Sequence, residues 1–329
     1  MPRKWPHPTL LLPAAFFVVQ ALPVTEARAA QDYPNRNITL VAPFPAGGGT
    51  DLFARTIAQQ LTARFGKQVI IENRTGASGN IGAESVVRAV PDGHTLLYTA
   101  STIALSQAVY SKLTFSPARD LQAITMTASI PQVLVVHPSL PVKSVHQLIK
   151  LAQKQGDDLS YSSGGPGSAG NFAMEFYKLR TQSRMTHIPY RGAAPALTAL
   201  FSGEVQLAFL VPTLVKSHAQ NGKLRAIGVA ARKRSATLPE VPTLQEQGVS
   251  DFEVLQWHGM FAPAKTPQNI VTELYQAVSA ALNSAEVKKR YAAEGAEIGG
   301  TTPAEFTQFV NSELTRWSDV AKRARMRVN

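Results

Sequence analysis

No cysteine occurs in the 329-residue chain. Its absence excludes disulfides, cysteine-ligated metal and a thiol nucleophile, and leaves no thiol for a lipid anchor. Long apolar runs are missing too: no stretch supplies the roughly 18 to 20 apolar residues that span a bilayer. The histidines are scattered, with no HExxH pattern, so no metal site is expected. Acidic residues are outnumbered, 22 Asp and Glu against 33 Lys and Arg, which gives a formal net charge of +11. The basic clusters Arg232-Lys233-Arg234, Lys288-Lys289-Arg290 and residues 322–327 come with neither zinc-finger spacing nor an aromatic RNA-binding signature. They read as solvated helix faces in a field that speeds the approach of anions, and no nucleic-acid partner is expected.

Residues 1–29 read as a signal peptide. Arg3 and Lys4 form a basic start, residues 10–24 an apolar stretch interrupted by Pro13, and Ala27-Arg28-Ala29 a small-x-small cleavage pattern. Cleavage after Ala29 removes a net +2 and leaves a chain of charge +9. Its length of about 300 residues suffices for two hydrophobic cores.

Two loops carry most of the chemical information. In LVAPFPAGGGTDLFARTIAQQL, residues 40–61, an apolar run breaks into a Pro/Gly loop, and an amphipathic helix opens near Asp51. In LSYSSGGPGSAGNFAMEFYKL, residues 159–179, a short strand again passes through a Gly/Ser loop into a helix. A strand, a flexible loop and a helix N-terminus in that order suit an anion, because the unpaired N–H groups of the first turn and the positive end of the helix dipole converge there.

Between these loops the chain alternates β-rich runs with helical patterns, which predicts an α/β fold of two lobes, each a mainly parallel sheet flanked by helices. Strands are expected at residues 38–41, 69–72, 95–98, 132–136, 159–162, 185–188, 205–210, 224–229 and 252–261. Helices are expected to start near Asp51, Asn80, Ser144, Ser168, Ala194, Thr213, Pro267, Ala285 and Pro303. The stripe Phe306, Phe309, Val310, Leu314, Trp317 and Val320 recurs at helical spacing and reads as core. The last helices need a sheet to cover, and the first lobe provides one. The expected division is therefore residues 30–128 plus 252–329 for lobe one and 129–251 for lobe two, joined by a two-segment hinge.

The segments YPNRNITLVAPFPAGGGTDLFAR, IIENRTGASGNIGAE, PDGHTLL, HIPYRGAAPALTALFSGEVQLAF and GKLRAIGV resemble the tripartite tricarboxylate transporter receptors, or Bug proteins. The resemblance runs from Tyr33 almost to the C-terminus. It implies a soluble periplasmic solute-binding protein of the type II two-lobed fold that takes a small carboxylate for the membrane permease subunits of a tripartite tricarboxylate transporter. It also implies that the ligand carboxylate is held by the first glycine loop, Phe44, Pro45, Ala46, Gly47, Gly48, Gly49, Thr50 and Asp51, and by the second, Ser162, Ser163, Gly164, Gly165, Gly167, Ser168 and Asn171. Ser101, Arg191, Gly192 and Val211 complete the candidate set. No cofactor and no catalytic residue are implied. Where many relatives carry a polar or acidic residue, this chain has Leu210-Val211-Pro212, which tilts the expectation toward an apolar or aromatic monocarboxylate.

Other readings of the same residues are weaker. Residues 165–170 match G-x-G-x-x-G after a strand, but His187-Ile188-Pro189 stands where a dinucleotide site carries an acid. Asn171-Phe172 replaces the Lys-Ser/Thr of a Walker A loop, and Pro166 breaks a G-x-S-x-G elbow around Ser168. Asp51 is as well explained as a helix N-cap, and Arg191 as a solvated loop residue. Two alternative functions stay open at this stage: a secreted hydrolase or isomerase using Ser168 or a histidine, and a ligand sensor serving a membrane kinase.

Overall fold

The computed structural model describes residues 1, 3 and 33–327, so the expected leader lies outside the described residues. From Pro34 onward the chain follows the order β1 (Ile38–Ala42), α1 (Gly49–Phe65), β2 (Val69–Asn73), α2 (Asn80–Val87), β3 (Thr95–Ala100), α3 (Thr102–Val109), α4 (Pro117–Asp120) and β4 (Leu121–Pro131). It continues with β5 (Val133–Val136), α5 (Val145–Gln155), β6 (Ser160–Ser163), α6 (Ala169–Thr181), β7 (Thr186–Pro189), α7 (Ala193–Ser202), β8 (Leu207–Leu210), α8 (Pro212–Gln220) and β9 (Arg225–Val229). The last part is β10 (Leu255–Pro263), α9 (Gln268–Asn283), α10 (Ala285–Ala293), β11 (Glu297–Ile298) and α11 (Pro303–Arg323). Several helix starts are written in the side chains. Ser144, Ser168 and Ser284 each accept a first-turn backbone N–H, and Thr302 with Glu305 forms a reciprocal capping box.

Two sheets result. The first has the order β11-β4-β10-β3-β1-β2 and the second β7-β6-β8-β5-β9. Each has a parallel part, β2-β1-β3 and β7-β6-β8, which the alternating pattern anticipated. Both sheets are nevertheless mixed rather than mainly parallel. β10 runs antiparallel to β3 and β4, and β5 antiparallel to β8 and β9. The reversal follows from the route of the chain. Gln132 alone separates β4 in the first sheet from β5 in the second, and β10 returns beside β4, paired from Leu255↔Pro131 to Pro263↔Leu121. At the crossing, Gln132 N–H donates to Val254 O at 3.0 Å, Val254 N–H to Ala230 O at 2.9 Å, and Ala230 N–H to Gln132 O at 2.8 Å. Three crossing segments are thereby closed into one backbone ring.

β4 was not anticipated as a strand, because Thr125, Thr127 and Ser129 interrupt its apolar residues. All but two of its residues are buried, so its hydroxyls must find partners inside the protein: Thr125 Oγ1 donates to Thr301 O at 2.7 Å, and Thr127 Oγ1 pairs with Tyr98 Oη at 2.7 Å. The α11 stripe behaves as the spacing predicts. Phe306, Val310, Trp317 and Val320 are buried, and Trp317 stands edge-on to Phe172 and Phe176 of α6, with ring centroids 5.4 and 5.9 Å away. The C-terminal helix of the first sheet thus packs on a helix of the second. Within the stripe, buried Glu313 accepts hydrogen bonds from both Trp257 Nε1 at 3.0 Å and Trp317 Nε1 at 2.9 Å, and pairs with Arg316.

Candidate functional site

A cavity of about 450 Å³ opens between elements of the two sheets. Four helix N-termini reach it: α1 through Gly49, α6 through Ser168, Ala169 and Gly170, α7 through Gly192 and Ala193, and α8 through Val211, Thr213 and Leu214. Such ends carry N–H groups that the helix itself cannot satisfy. Among the described residues, the N–H groups of Gly49, Thr50, Ala169, Gly170, Ala193 and Thr213 have no hydrogen-bond partner. Four positive dipole ends and a set of free donors therefore face one space. The remaining wall is largely apolar, built from Phe53, Ile130, Phe209, Leu210, Val211 and Leu214.

Of the residues singled out from the sequence, Gly49, Gly164, Ser168, Gly192 and Val211 line this cavity. The others stand around it. Asp51 is 2% exposed, and its carboxylate is fully engaged: Gly47 N–H at 2.9 Å and Arg55 Nε at 2.8 Å donate to one oxygen, Asn73 Nδ2 at 2.9 Å to the other. Burial pushes this carboxyl up, and the bonds from Arg55, Gly47 and Asn73 outweigh that and hold it below the usual carboxylate range. Asn73 also donates to Phe44 O at 3.0 Å, so Asp51 organises the loop of Phe44, Pro45, Ala46, Gly47 and Gly48. Thr50 is buried beside it.

The second loop is organised in the same manner. Ser168 Oγ caps α6 by accepting Asn171 N–H, Asn171 Oδ1 accepts Gly167 N–H at 3.2 Å, and Ser162 Oγ donates to Ala196 O at 2.9 Å. Ser163 Oγ lies 2.7 Å from His187 Nε2 and accepts Gly165 N–H at 3.2 Å. That Ser–His pair has the spacing of a nucleophile and base, but Ser163 is 2% exposed and outside the cavity lining. Gly167 and Asn171 border a separate crevice with Glu175, His187 and Arg325. Arg191 is exposed and outside the lining, and Ser101 is buried with an unpartnered Oγ.

Several lining residues escaped the sequence reading. Phe53 was findable, one helical turn beyond Gly49. Gln132 and Gln256 lie on the crossing segments, and Glu294 follows α10; no local motif marks them. Gln256 Nε2 lies 3.4 Å from Nε2 of His258, a fully buried ring packed against Phe53 at 4.7 Å. Burial lowers the His258 pKa from 6.5 to about 3. The unfolded chain therefore binds more protons than the folded one between those values. Stability is fully present above pH 6.5 and falls as pH drops toward about 3, by up to about 1.4 kcal/mol per pH unit. Thermal unfolding from pH 7 to pH 4 should show a shallower loss in His258→Leu than in the wild type. Parallel profiles would show that His258 protonates without penalty.

A pair of mixed α/β sheets with a cavity between them defines the two-lobed periplasmic-binding-protein fold. The chain belongs to the tripartite tricarboxylate transporter receptor family: residues 53–326 match the family described as "Tripartite tricarboxylate transporter family receptor". It is 32% identical over 296 residues to protein BugT of Bordetella pertussis, covering 89% of this chain and 91% of BugT. It is 33% identical over 306 residues to the UPF0065 protein in the tcbD-tcbE intergenic region of Pseudomonas sp. strain P51, covering 93% and 91% of the two chains. Among solved structures, R. palustris Rpa4515 with adipate superposes with a TM-score of 0.77 at 37% identity, over 90% of this chain and 99% of that one. MatC of Rhodopseudomonas palustris with bound malate gives 0.74 at 32% identity, over 88% and 99%.

Proposed function

We propose that this chain is a periplasmic solute-binding receptor that captures a small carboxylate in the interlobe cavity and delivers it to the permease subunits of a tripartite tricarboxylate transporter. The observation that carries the reading is the convergence of four helix N-termini, with unpartnered N–H groups, on a cavity whose lining includes no Lys or Arg. Such a site meets a carboxylate with oriented dipoles, whose hydrogen bonds to a charged acceptor are stronger than neutral ones. The bound adipate and malate of Rpa4515 and MatC support the same class of ligand.

In this proposal residues 1–29 are removed on export, lobe one comprises 30–128 plus 252–329, and lobe two 129–251. The changes of sheet at Gln132 and between Val229 and Leu255 support that division. Work is done by binding alone. Ser168, the serine of the hydrolase alternative, is engaged as a helix cap, which supports a receptor over an enzyme.

Gly49 offers the cleanest test. Its φ is not positive, and a Cβ added there meets nothing within 4 Å, whereas one at Gly170 would meet Phe209 O at 2.7 Å and Gly167 has φ +80°. Gly49→Val therefore preserves the fold while placing two methyl groups in the cavity. Affinity should drop at least about tenfold, equivalent to about 1.4 kcal/mol. Mass spectrometry should find a small acid released from purified wild type and much less from the variant. Equal yields from the two proteins would place the acid elsewhere.

A further inference from the structure

We infer that Glu294 sets the class of ligand: a monocarboxylate whose far end carries a hydrogen-bond donor, an ammonium or another N–H or O–H group, and not a dicarboxylate. This rests on the carboxylate reading of the cavity proposed above and deepens it. Among the described residues, Glu294 is the one ionisable side chain in the lining. It is half-buried, and among the described residues its carboxylate has neither an ion pair nor a hydrogen bond. Its position makes little sense for stability. Glu294 is the C-cap of α10, where carbonyls accumulate negative charge and a cation is favoured. The basic residue of that last turn, Arg290, is occupied by Glu286 at 3.0 Å.

The turn is nevertheless held against the cavity. Gly295 follows with φ +68°, so close to α8 that a Cβ would lie 3.2 Å from Thr213 Cγ2. Two amides complete the picture. Gln132 lines the cavity and, among the described residues, makes no side-chain hydrogen bond, so its amide is left for what enters the cavity. Gln256 also lines the cavity, with Nε2 of its amide 3.4 Å from Nε2 of His258. The cavity is thus bipolar: donors at the helix N-termini, and the carboxylate acceptor of Glu294 at the other wall. A second carboxylate would meet a like charge, whereas a donor would meet an acceptor.

Titration calorimetry with succinate, glutarate and adipate against 4-aminobutanoate, 5-aminopentanoate and 6-aminohexanoate tests this in wild type and in Glu294→Gln. The best-bound amino acid should exceed the diacid of equal length by about tenfold in the wild type, a Coulomb effect discounted for the half-exposed carboxylate. In Glu294→Gln the ratio should approach unity through a gain in diacid affinity. A wild type that prefers the diacids, an unchanged ratio in the variant, or no binding by any of the three amino acids overturns the inference. A lower melting temperature with an unchanged ratio would make Glu294 a complement of the α8 N-terminus only. The underlying carboxylate reading fails separately, if the methyl ester of the best-bound amino acid binds as tightly as the free acid.

Discussion

Methyl esterification of the ligand's carboxylate is expected to weaken binding about a hundredfold or more. Charge-assisted hydrogen bonds contribute about 1.5 to 3 kcal/mol each, and about 1.4 kcal/mol corresponds to a tenfold change, so losing two of them suffices. The ester keeps the carbon skeleton of the acid, adds one methyl group, and removes the charge that the N–H groups of α1, α6, α7 and α8 are oriented to meet. Arg191 provides the contrast. It is exposed and outside the cavity lining, so Arg191→Gln should change affinity by no more than a few fold. Calorimetry with the acid and its ester, on wild type and on this variant, separates the two ideas. Strong binding of the ester together with loss of binding in Arg191→Gln would mean that an ion pair holds the ligand.

Glu313→Ala should destabilise the folded chain by about 2 to 6 kcal/mol, since two buried indole N–H groups lose their acceptor at about 1 to 3 kcal/mol each. Glu313 is 3% exposed and serves Trp257, Trp317 and Arg316 at once. Its loss strands two indole N–H groups between α11 and β10, while Arg316, about a third exposed, keeps its hydrogen bond to Glu253 O at 3.0 Å. Total stabilities of about 5 to 15 kcal/mol make such a loss a large fraction of the whole. Urea unfolding should move to a much lower midpoint, and Glu313→Gln, which keeps one acceptor oxygen, should fall between the two. A midpoint unchanged in Glu313→Ala would mean that water reaches the three donors.

The elements that the sequence disclosed are those with local signatures. Serine and threonine caps announce α5, α6, α10 and α11, and the aliphatic runs of β1, β8 and β9 announce strands. β4 was missed although residues 124–130 alternate apolar and polar side chains; that its threonines are buried as well depends on partners remote in sequence, such as Tyr98 and Thr301, which no local pattern discloses. β5 and β10 were legible as strands but their antiparallel direction was not, since direction depends on where the chain crosses between sheets. At the site, the glycine loops were visible as motifs, but Asp51 is absorbed into positioning its own loop. The rear wall is assembled from Ile130, Gln132, Gln256 and Glu294, residues brought together only by the pairing of β4 with β10 and the placement of α10. No spacing rule links positions so far apart.

The backbone ring of Gln132, Ala230 and Val254 separates two duties that usually compete. All three of its hydrogen bonds run between main-chain groups, so the side chain of Gln132 takes no part in aligning the two sheets, and proline there would remove one bond of the ring. The side chain of Gln132, released from that task, faces the cavity instead. Position 132 is therefore a place where ligand preference can drift during evolution while the joint between the lobes stays the same.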